Sequence, residues 1–334
     1  MKISASIYSD KKRPLKNVIQ DLVSHQIDLL HVDCNDDLSV FEDIKEIRKW
    51  CDTPIDLHII TENPNKYYPL LKENPVEYVT FQFENLKNKL NIPSEITGKK
   101  GLAITTPTSV DVFESYATMD FILIMATVPG QSGGVFDQKN FSKIRKFRKR
   151  FPRKSIHVDG GVNAEVSFIL RNMGVSSSVS GSYLFNETSI GNALMNLTSR
   201  EIDSKYVIQD FMTPLKEAPH IFGEEKTTKE ILQCVEDGKM GFALIMNASN
   251  ELTGLVSSAD IRKALLSKID TPKTITSDDL INRTPITING KATVDALLLK
   301  IKSCPFPIMY LPVVDDKGNA IGIVNFVHLI KGEI

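Results

Sequence analysis

The chain has 334 residues, 42% of them hydrophobic, and its 40 Lys and Arg residues nearly balance 41 Asp and Glu residues, for a formal net charge of −1. This length is sufficient for two domains, and the near-neutral charge excludes a general electrostatic attraction to nucleic acid or to an anionic membrane. Because the four cysteines form no CxxC pair and no apolar run reaches the roughly 18 residues of a membrane span, we expect a cytoplasmic protein with no membrane partner.

Eight short apolar runs recur about every 20–30 residues between the N-terminus and residue 182. Amphipathic stretches such as DIKEIRKWC and FSKIRKFRKRF lie between them, so the pattern predicts alternating strands and helices in an α/β fold. An open, doubly wound sheet is the alternative, but eight strands in so short a segment favour a closed (β/α)8 TIM barrel. The runs are KISASIYS, IDLLHVDC, PIDLHIIT, YVTFQFE, GLAITT, FILIMATV, SIHVDGG and SSVSGS.

Polar side chains lie at the ends of three predicted strands. His31 and Asp33 are two residues apart at the end of the second strand, and therefore on one face. His58 lies near the end of the third strand and Asp159 ends the seventh. Two imidazoles and two carboxylates at the C-terminal mouth of a barrel suit one divalent transition metal, Zn, Fe, Mn or Co, better than Mg or Ca. A hydrogen-bonded core histidine or a helix-capping carboxylate would explain each residue alone, but four at matching strand ends favour a metal site.

Glycine-rich segments follow the last three predicted strands. Loops at this end of a TIM barrel commonly hold phosphate, because glycine lets backbone N–H groups approach an anion closely. Each segment alone would be interpreted as a turn. Together, and opposite four candidate metal ligands, they indicate a small phosphorylated substrate. The segments are VPGQSGGVF (128–136), DGGVN (159–163) and SGS (180–182).

Residues 1–198 resemble ribulose-phosphate 3-epimerases through the motifs ASIYSD, LLHVDC, DLHII, MATVPGQSGGVF and HVDGGVN. The resemblance implies that the metal is bound by two histidines and two carboxylates, namely His31, Asp33, His58 and Asp159. It also implies that Ser6 contacts the substrate. The substrate phosphate would be held by backbone of the last three loops, at Gly133, Gly134, Gly160, Gly161, Gly181 and Ser182.

The implied activity is 3-epimerisation of a ketose phosphate, D-ribulose 5-phosphate and D-xylulose 5-phosphate or a related sugar phosphate. A bound metal would stabilise the enediolate formed when the C3 proton leaves, and inversion requires an acid on the opposite face. Asp33 and Asp159 are the expected catalytic pair, one removing the proton and the other returning one. His157 is either a partner of this site or a packed core residue. An inactive sugar-phosphate sensor that signals through the C-terminal segment is the alternative function.

Three segments depart from the family pattern. The methionine that follows H-x-D in the family is replaced by Cys34 or Asn35, and the D-G-H-F loop is absent. The H-x-E of the fourth strand is Gln82-x-Glu84, and the paired glycines of PGQSGG come one residue later. These changes remodel the pocket wall without removing a ligand or an acid, so the sugar stays undetermined. Related decarboxylases and hexulose-phosphate synthases carry D-x-K after the second strand, and H-x-D argues against them.

A repeated unit follows the polar linker TSREIDSKY. Residues 207–267 and 278–334 each have a Thr-Pro turn, a helix, and a Gly-containing strand leading into a final helix. Residues 207–334 thereby resemble a tandem CBS-domain pair, most like that of arabinose-5-phosphate isomerases. Because such pairs commonly bind a nucleotide and often dimerise, the resemblance implies a regulatory nucleotide and a homo-oligomer. A pure assembly module is the alternative.

The two repeats differ at positions that hold a nucleotide in CBS pairs. The first has Ser257 and Asp260, which the resemblance assigns to phosphate and ribose, whereas the second has Asn325 and His328. A carboxylate can accept hydrogen bonds from both ribose hydroxyls, while neutral histidine offers one acceptor. We therefore expect at most one nucleotide per chain.

The basic run KIRKFRKRFPRK (143–154) has helical spacing. Ile144 and Phe147 would face the core, and the Lys and Arg side chains would form the solvated face of a barrel helix. We therefore expect no nucleic-acid partner.

Overall fold

The computed structural model of the protein describes residues 1–129, 133–199, 205–222, 226–304 and 306–326. These residues form two compact units, one containing the described residues up to 199 and the other those from 205 onwards. Within the described ranges, no helix has both the length and the apolar character needed to cross a bilayer. His328, the final helix predicted for the second repeat, and residues 200–204 of the predicted linker lie outside the described residues.

The first unit is a closed barrel of parallel strands. The eight strands are β1 (Lys2–Ser6), β2 (Leu29–Asn35), β3 (Ile55–Ile60), β4 (Tyr78–Gln82), β5 (Lys99–Thr105), β6 (Phe121–Met125), β7 (Ser155–Asp159) and β8 (Ser177–Ser180). Each strand pairs with the next along the chain, and β8 closes the barrel against β1. All eight strands arise from the eight apolar runs, so the predicted TIM barrel is confirmed.

Seven α-helices belong to the described part of this unit. They are α1 (Leu15–Ser24), α2 (Val40–Trp50), α3 (Tyr68–Glu73), α4 (Lys139–Arg150), α5 (Ala164–Asn172), α6 (Ser182–Asn186) and α7 (Ile190–Thr198). The predicted alternation is interrupted, because no α-helix joins β4 to β5, and a 3-10 helix, Val110–Tyr116, lies between β5 and β6. The first of these connections contains Pro93 and Gly98, the latter at φ +77°, which do not favour a continuous helix.

Alternate residues of each strand point into the barrel and pack in layers. Towards the N-terminal ends of the strands, Phe121 stacks on His157 with ring centroids 4.1 Å apart, and Tyr78 packs edge-on against Phe121 at 5.9 Å. Burial lowers the pKa of His157 to about 4. The imidazole is therefore neutral and packs as an aromatic ring, which agrees with its interpretation as a packed core residue.

The basic helix α4 buries the apolar residues expected of it, Ile144 and Phe147. Its basic face is not wholly solvated, however, and that part of the prediction was wrong at Lys143, which is 8% exposed. The Lys143 Nζ donates to the carbonyl oxygens of Thr105 and Thr108 at 2.5 and 2.6 Å. Burial lowers the pKa of this amine to about 8. Lys143 thus holds the turn that follows β5.

The second unit contains two sheets, one for each predicted repeat. Its strands are β9 (Thr213–Pro214), β10 (His220–Phe222), β11 (Phe242–Met246), β12 (Leu252–Ser257), β13 (Ile288–Asn289), β14 (Tyr310–Val314) and β15 (Ala320–Asn325). Its helices are α8 (Ile208–Phe211), α9 (Thr228–Gly238), α10 (Ser258–Ser267), α11 (Ser277–Leu280) and α12 (Val294–Ser303).

The two sheets repeat one arrangement. In the first, β10 is parallel and β12 antiparallel to β11, and α9 connects β10 to β11. In the second, β13 is parallel and β15 antiparallel to β14, and α12 connects β13 to β14. Each sheet also pairs with the segment that begins the other repeat, since β9 pairs with β15 and Asn282 with Leu255. The predicted internal repeat is confirmed, and its halves are interlocked.

Gly101 in β5 faces the ring of Phe121, and a Cβ atom on Gly101 would lie 2.8 Å from Phe121 Cδ2. The ring is 1% exposed and packed against His157 and Tyr78, so it cannot move aside without repacking. We expect Gly101→Ala to lower the free energy of unfolding of the barrel by about 1–3 kcal/mol. Urea unfolding followed through the fluorescence of Trp50, the single tryptophan, measures this change.

The control is the double variant that adds Phe121→Leu. Since leucine removes the ring edge that meets the new methyl group, the two substitutions should be non-additive, with part of the lost stability recovered. A Gly101→Ala protein as stable as the parent, or strictly additive effects, would contradict the predicted clash.

Candidate metal centre and active site

Two neighbouring strands supply most of the site. His31 and Asp33 in β2 lie two residues apart and point into the barrel, and their register partners in β3 are Asp56 and His58 respectively. Asp159 is the last residue of β7 and reaches the same end of the barrel. The four predicted ligands therefore meet at the C-terminal mouth, where such barrels carry their active sites.

The donor atoms of these four residues are close together. Asp33 Oδ1 lies 3.3 Å from His31 Nε2 and 3.4 Å from His58 Nδ1, and Asp159 Oδ2 lies 3.6 Å from His31 Nε2. One ligand atom from each residue lies within 4.8 Å of the other three. Two nitrogen and two carboxylate donors thus surround one point.

Among the residues that the structure describes, three of these donor atoms are buried without a hydrogen-bond partner: His31 Nε2, Asp33 Oδ1 and His58 Nδ1. Leaving such atoms unsatisfied is unfavourable, and a cation at their common point would satisfy all three. The mixed nitrogen and oxygen donors are those of a transition-metal site rather than an all-oxygen Mg or Ca site. The residues therefore fit a divalent transition metal.

The orientation of His31 is fixed by Asp56, a residue that the sequence analysis missed. His31 Nδ1 lies 2.9 Å from Asp56 Oδ2, and the Ser4 hydroxyl donates to the same oxygen at 3.0 Å. A carboxylate accepts the Nδ1 proton and leaves Nε2 directed at the candidate metal position, as is common for metal-binding histidines. The signal was available, because Asp56 lies two residues before His58 and so shares its inward face.

His58 is held from its other side. Its Nε2 lies 2.8 Å from Gln82 Oε1, and the Gln82 amide in turn donates to Glu84 Oε2 at 2.5 Å. In the sequence these two residues were noted only as a departure from a family motif. The hydrogen bond to Gln82 leaves Nδ1 of His58 facing Asp33.

Burial and neighbouring charges give the two carboxyl groups of the site different pKa values. Burial alone would raise the pKa of Asp33, but His31 lowers it well below its usual value. Burial and the negative charge of Asp33 raise the pKa of Asp159 to about 6. Burial alone would lower the pKa of His31, yet Asp56 and Asp33 raise it well above its usual value.

The loops after β6 and β7 pack closely together at this mouth. An added Cβ would lie 2.6 Å from Thr127 Cγ2 at Gly134, would collide with Thr127 at Gly160, and would collide with the backbone of Phe136 at Gly161. Gly160 and Gly161 also have φ angles of +105° and +67°, which favour glycine. A side chain at any of these three glycines would not fit.

The loop after β8 packs against the end of β1. A Cβ on Gly181 would lie 3.3 Å from Ser6 Cβ and 3.0 Å from Ser9 Cβ, and the Ser9 hydroxyl donates to Ser6 Oγ at 3.1 Å. Ser182 follows as the first residue of α6. Gly133 is not brought against these residues, since no described atom beyond its chain neighbours lies within 4 Å of a Cβ built on it.

Cys34 and Asn35, the two candidates for the family's methionine position, follow Asp33 in β2. Cys34 is buried, and its thiol donates to the carbonyl of Asp37 at 3.1 Å. By strand alternation Asn35, not Cys34, shares the inward face of Asp33. Asn35 is therefore the residue that changes the pocket wall.

The predicted nucleotide ligands lie in the second unit and contact each other. The Ser257 hydroxyl and backbone N–H donate to Asp260 Oδ2 at 2.5 and 3.0 Å, and the Asp260 N–H donates back to Ser257 Oγ at 3.2 Å. The two residues form the capping box that begins α10. A nucleotide would have to compete with these bonds or share them.

The sequence matches known families in both units. Residues 2–185 match the Ribulose-phosphate 3 epimerase family, and residues 277–332 match the CBS domain. The ribulose-phosphate 3-epimerase of Aquifex aeolicus is 30% identical over 188 residues, covering 52% of this chain and 84% of that protein. That of Methanocaldococcus jannaschii is 29% identical over 228 residues (64% and 95%), and that of Bacillus subtilis 26% identical over 212 residues (59% and 98%).

Solved structures of CBS-pair proteins resemble part of the chain. CBSX2 from Arabidopsis thaliana is 22% identical with a TM-score of 0.33, covering 39% of this chain and 95% of that one. A structure of CBSX2 in complex with AMP is 24% identical with a TM-score of 0.31, covering 38% and 96%. Such TM-scores are too low to say what the present protein binds.

The CBS match covers the second repeat, and the first repeat has the same order of strands and helices. The resemblance of this pair to that of arabinose-5-phosphate isomerases stays a prediction. Because the match to the N-terminal unit extends over more than half of the chain, the protein belongs to the ribulose-phosphate 3-epimerase family and is a carbohydrate epimerase whose barrel precedes a CBS-domain pair.

Proposed function

We propose that the protein is a metal-dependent 3-epimerase of a ketose phosphate. The observation that carries the proposal is the convergence of His31, Asp33, His58 and Asp159 on one point, with three of their donor atoms otherwise unsatisfied. Family membership supports the reaction type. An inactive sugar-phosphate sensor is less well supported, because the metal donors and both acids are in place.

His31, Asp33, His58 and Asp159 would hold one Zn, Fe, Mn or Co ion. When bound, such an ion would withdraw electron density from the ketone and lower the barrier to loss of the neighbouring C3 proton. Asp56 and Gln82 would keep the two imidazoles directed at it.

Asp33 and Asp159 would carry out the two proton transfers. They come from β2 and β7, which are separated in the barrel by β8 and β1, so they can approach a bound sugar from different sides. In the metal-free site the lowered pKa of Asp33 keeps that carboxyl ionised, while the pKa of Asp159, raised to about 6, lets it carry a proton near neutral pH. Once C3 has lost its proton it is planar, and return of a proton from the opposite face inverts it. The roles exchange in the reverse direction.

The substrate would lie across the mouth with Ser6 beside its sugar. Its phosphate would contact backbone of the loops after β6, β7 and β8, where close packing excludes a side chain at Gly134, Gly160, Gly161 and Gly181. The residues proposed for this role are Gly133, Gly134, Gly160, Gly161, Gly181 and Ser182. The names of the relatives favour D-ribulose 5-phosphate and D-xylulose 5-phosphate. Asn35 and Gln82 in the pocket wall leave a related sugar phosphate as the alternative.

We further propose that residues 1–198 and 207–334 act as separate domains in a cytoplasmic homo-oligomer. The second would consist of CBS repeats at 207–267 and 278–334 and bind a regulatory nucleotide at Ser257 and Asp260. In the second repeat His328 stands where the first repeat has Asp260, and this difference supports at most one nucleotide per chain.

The catalytic pair is tested by Asp33→Asn and Asp159→Asn. We expect each to reduce epimerisation by about 10²–10⁴-fold, because one of two required proton transfers is lost. Each variant should still exchange the C3 proton of one epimer for solvent deuterium without inverting it, since the remaining carboxylate serves one face. Proton NMR in deuterium oxide, with metal content measured in parallel, follows both events.

The control for this pair is Asp120→Asn, at the opposite end of the barrel, where the carboxylate accepts from the Lys100 N–H. This variant should keep parental turnover. Asp33→Asn or Asp159→Asn enzymes that epimerise within a few-fold of the parent would refute the two-carboxylate mechanism.

The metal is tested by elemental analysis and by chelation. We expect one Zn, Fe, Mn or Co ion per chain, loss of activity when it is removed, and recovery when it is restored. His31→Ala and His58→Ala should each abolish binding of one equivalent, because each removes a nitrogen donor. The exposed His25 offers a matched control, and His25→Ala should bind metal like the parent. A fully active protein that contains no metal would contradict the proposed metal requirement.

Nucleotide binding is tested by calorimetry with adenine, guanine and cytidine nucleotides. We expect no more than one site per chain, lost in Asp260→Ala. Asp279→Ala is the matched control, because Asp279 forms an equivalent capping box with Thr276 at the start of α11. Binding that survives Asp260→Ala, or that is lost equally in both variants, would contradict a ribose contact at Asp260.

A further inference from the structure

We propose that Gln82 and Glu84 are positioning residues that fix which ring nitrogen of His58 carries the proton, and that they thereby set the affinity of the barrel for its metal. The inference rests on the proposed metal centre. It is carried by an unbroken line of hydrogen-bonded side chains from Glu84 through Gln82 to His58.

Glu84 is the end of this line whose hydrogen-bonding role is fixed, because its other partners, Thr105 and Thr108, donate to it. Its Oε1 accepts from the N–H and hydroxyl of Thr105, each at 2.8 Å, and from the Thr108 hydroxyl at 2.5 Å. Burial alone would raise the pKa of Glu84, but these hydrogen bonds lower it. Glu84 is therefore an ionised carboxylate, and its Oε2 can only accept a hydrogen bond from Gln82.

The carboxylate determines the orientation of the Gln82 amide. A reversed amide would place its oxygen against Glu84 Oε2, two acceptors facing each other with no proton between them. Gln82 therefore directs Nε2 to Glu84 and Oε1 to His58. Since Gln82 is 1% exposed, water cannot readily replace either partner.

The amide oxygen in turn determines the tautomer of His58. An acceptor 2.8 Å from Nε2 requires the proton to lie on Nε2, which leaves a lone pair on Nδ1. Nδ1 is the buried, unpartnered atom 3.4 Å from Asp33 Oδ1, at the candidate metal position. The other tautomer would instead donate from Nδ1 to Asp33 and occupy both donor atoms that a metal needs.

Three variants test the line of contacts. Gln82→Leu removes the acceptor for His58. Glu84→Gln removes the group that can only accept, so that the Gln82 amide can rotate and exchange the positions of its oxygen and nitrogen. The double variant of Gln82→Glu with Glu84→Gln exchanges the two groups, so that a carboxylate again accepts from His58 and an amide at position 84 donates to it.

Two measurements on the full-length protein separate positioning from a general loss of structure. The tautomer of His58 is read by long-range proton–nitrogen NMR after removal of metal, and Zn²⁺ affinity is read by competition with a chromogenic chelator. We expect Gln82→Leu to lose the Nε2–H tautomer and to weaken Zn²⁺ binding about 10–100-fold. Glu84→Gln should fall between, and the exchanged pair should return to within a few-fold of the parent.

Glu77→Gln is the matched control. Glu77 lies just before the other end of β4 and accepts from Arg48 and from the Ile55 N–H, each at 2.7 Å. Its loss should reduce stability and leave the His58 tautomer and Zn²⁺ affinity unchanged.

A Gln82→Leu protein that keeps the Nε2–H tautomer and binds Zn²⁺ within twofold of the parent overturns the proposal. If Gln82→Leu does not fold, an exchanged pair that is no better than Glu84→Gln overturns it equally. Failure of the parent itself to bind Zn²⁺ would refute the metal centre instead, while the tautomer, measured without metal, would still decide the role of Gln82.

Discussion

The candidate active site depends on the parallel register between β2 and β3. His31 lies opposite Asp56 and Asp33 opposite His58, and residues two apart in a strand point to the same face. Four polar side chains therefore form one compact block inside the barrel. A slip of one residue in either strand would turn half of this block outward, into the layer that packs against the helices. Asp159, the other proposed catalytic carboxylate, only has to reach a position that this register already defines.

The two histidines of the block are held by different chemistry. Asp56 gives His31 a charged partner, and Gln82 gives His58 a neutral one. A second carboxylate in direct contact with the block would add negative charge to a region that already contains Asp33, Asp56 and Asp159. With an amide at Gln82, the charge of Glu84 acts one side chain further away. The arrangement directs both imidazoles without placing another carboxylate on them.

The convergence of the proposed metal ligands could be predicted because it follows from strand ends and two-residue alternation, both of which are local patterns. Asp56 obeys the same alternation and could have been found by extending the argument two residues back from His58. The roles of Gln82 and Glu84 could not, because they depend on contacts across three strands and on the backbone N–H of Thr105. The capping box at Ser257 was visible in the S-x-x-D spacing.

The burial of Lys143 was hidden for a similar reason. A basic helix normally places its charges in water, and nothing in the run KIRKFRKRFPRK distinguishes one lysine from the next. The distinction comes from the turn after β5, whose carbonyl oxygens at Thr105 and Thr108 need donors. Sequence patterns within a segment predict helices and strands well. Which polar group finds its hydrogen-bond partner in a distant segment is determined only by the folded structure.

The exchange of segments between the two C-terminal repeats limits how this unit can evolve. β9 begins the first repeat yet completes the sheet of the second, and Asn282, at the start of the second, pairs with the sheet of the first. The second half does not encode the whole of its own sheet, and the first half, which encodes its three strands, still pairs with Asn282 of the second. A half inherited alone would expose backbone that its partner normally covers. Duplication or loss should therefore involve the pair as one heritable unit, while the two halves remain free to diverge at positions outside these pairings.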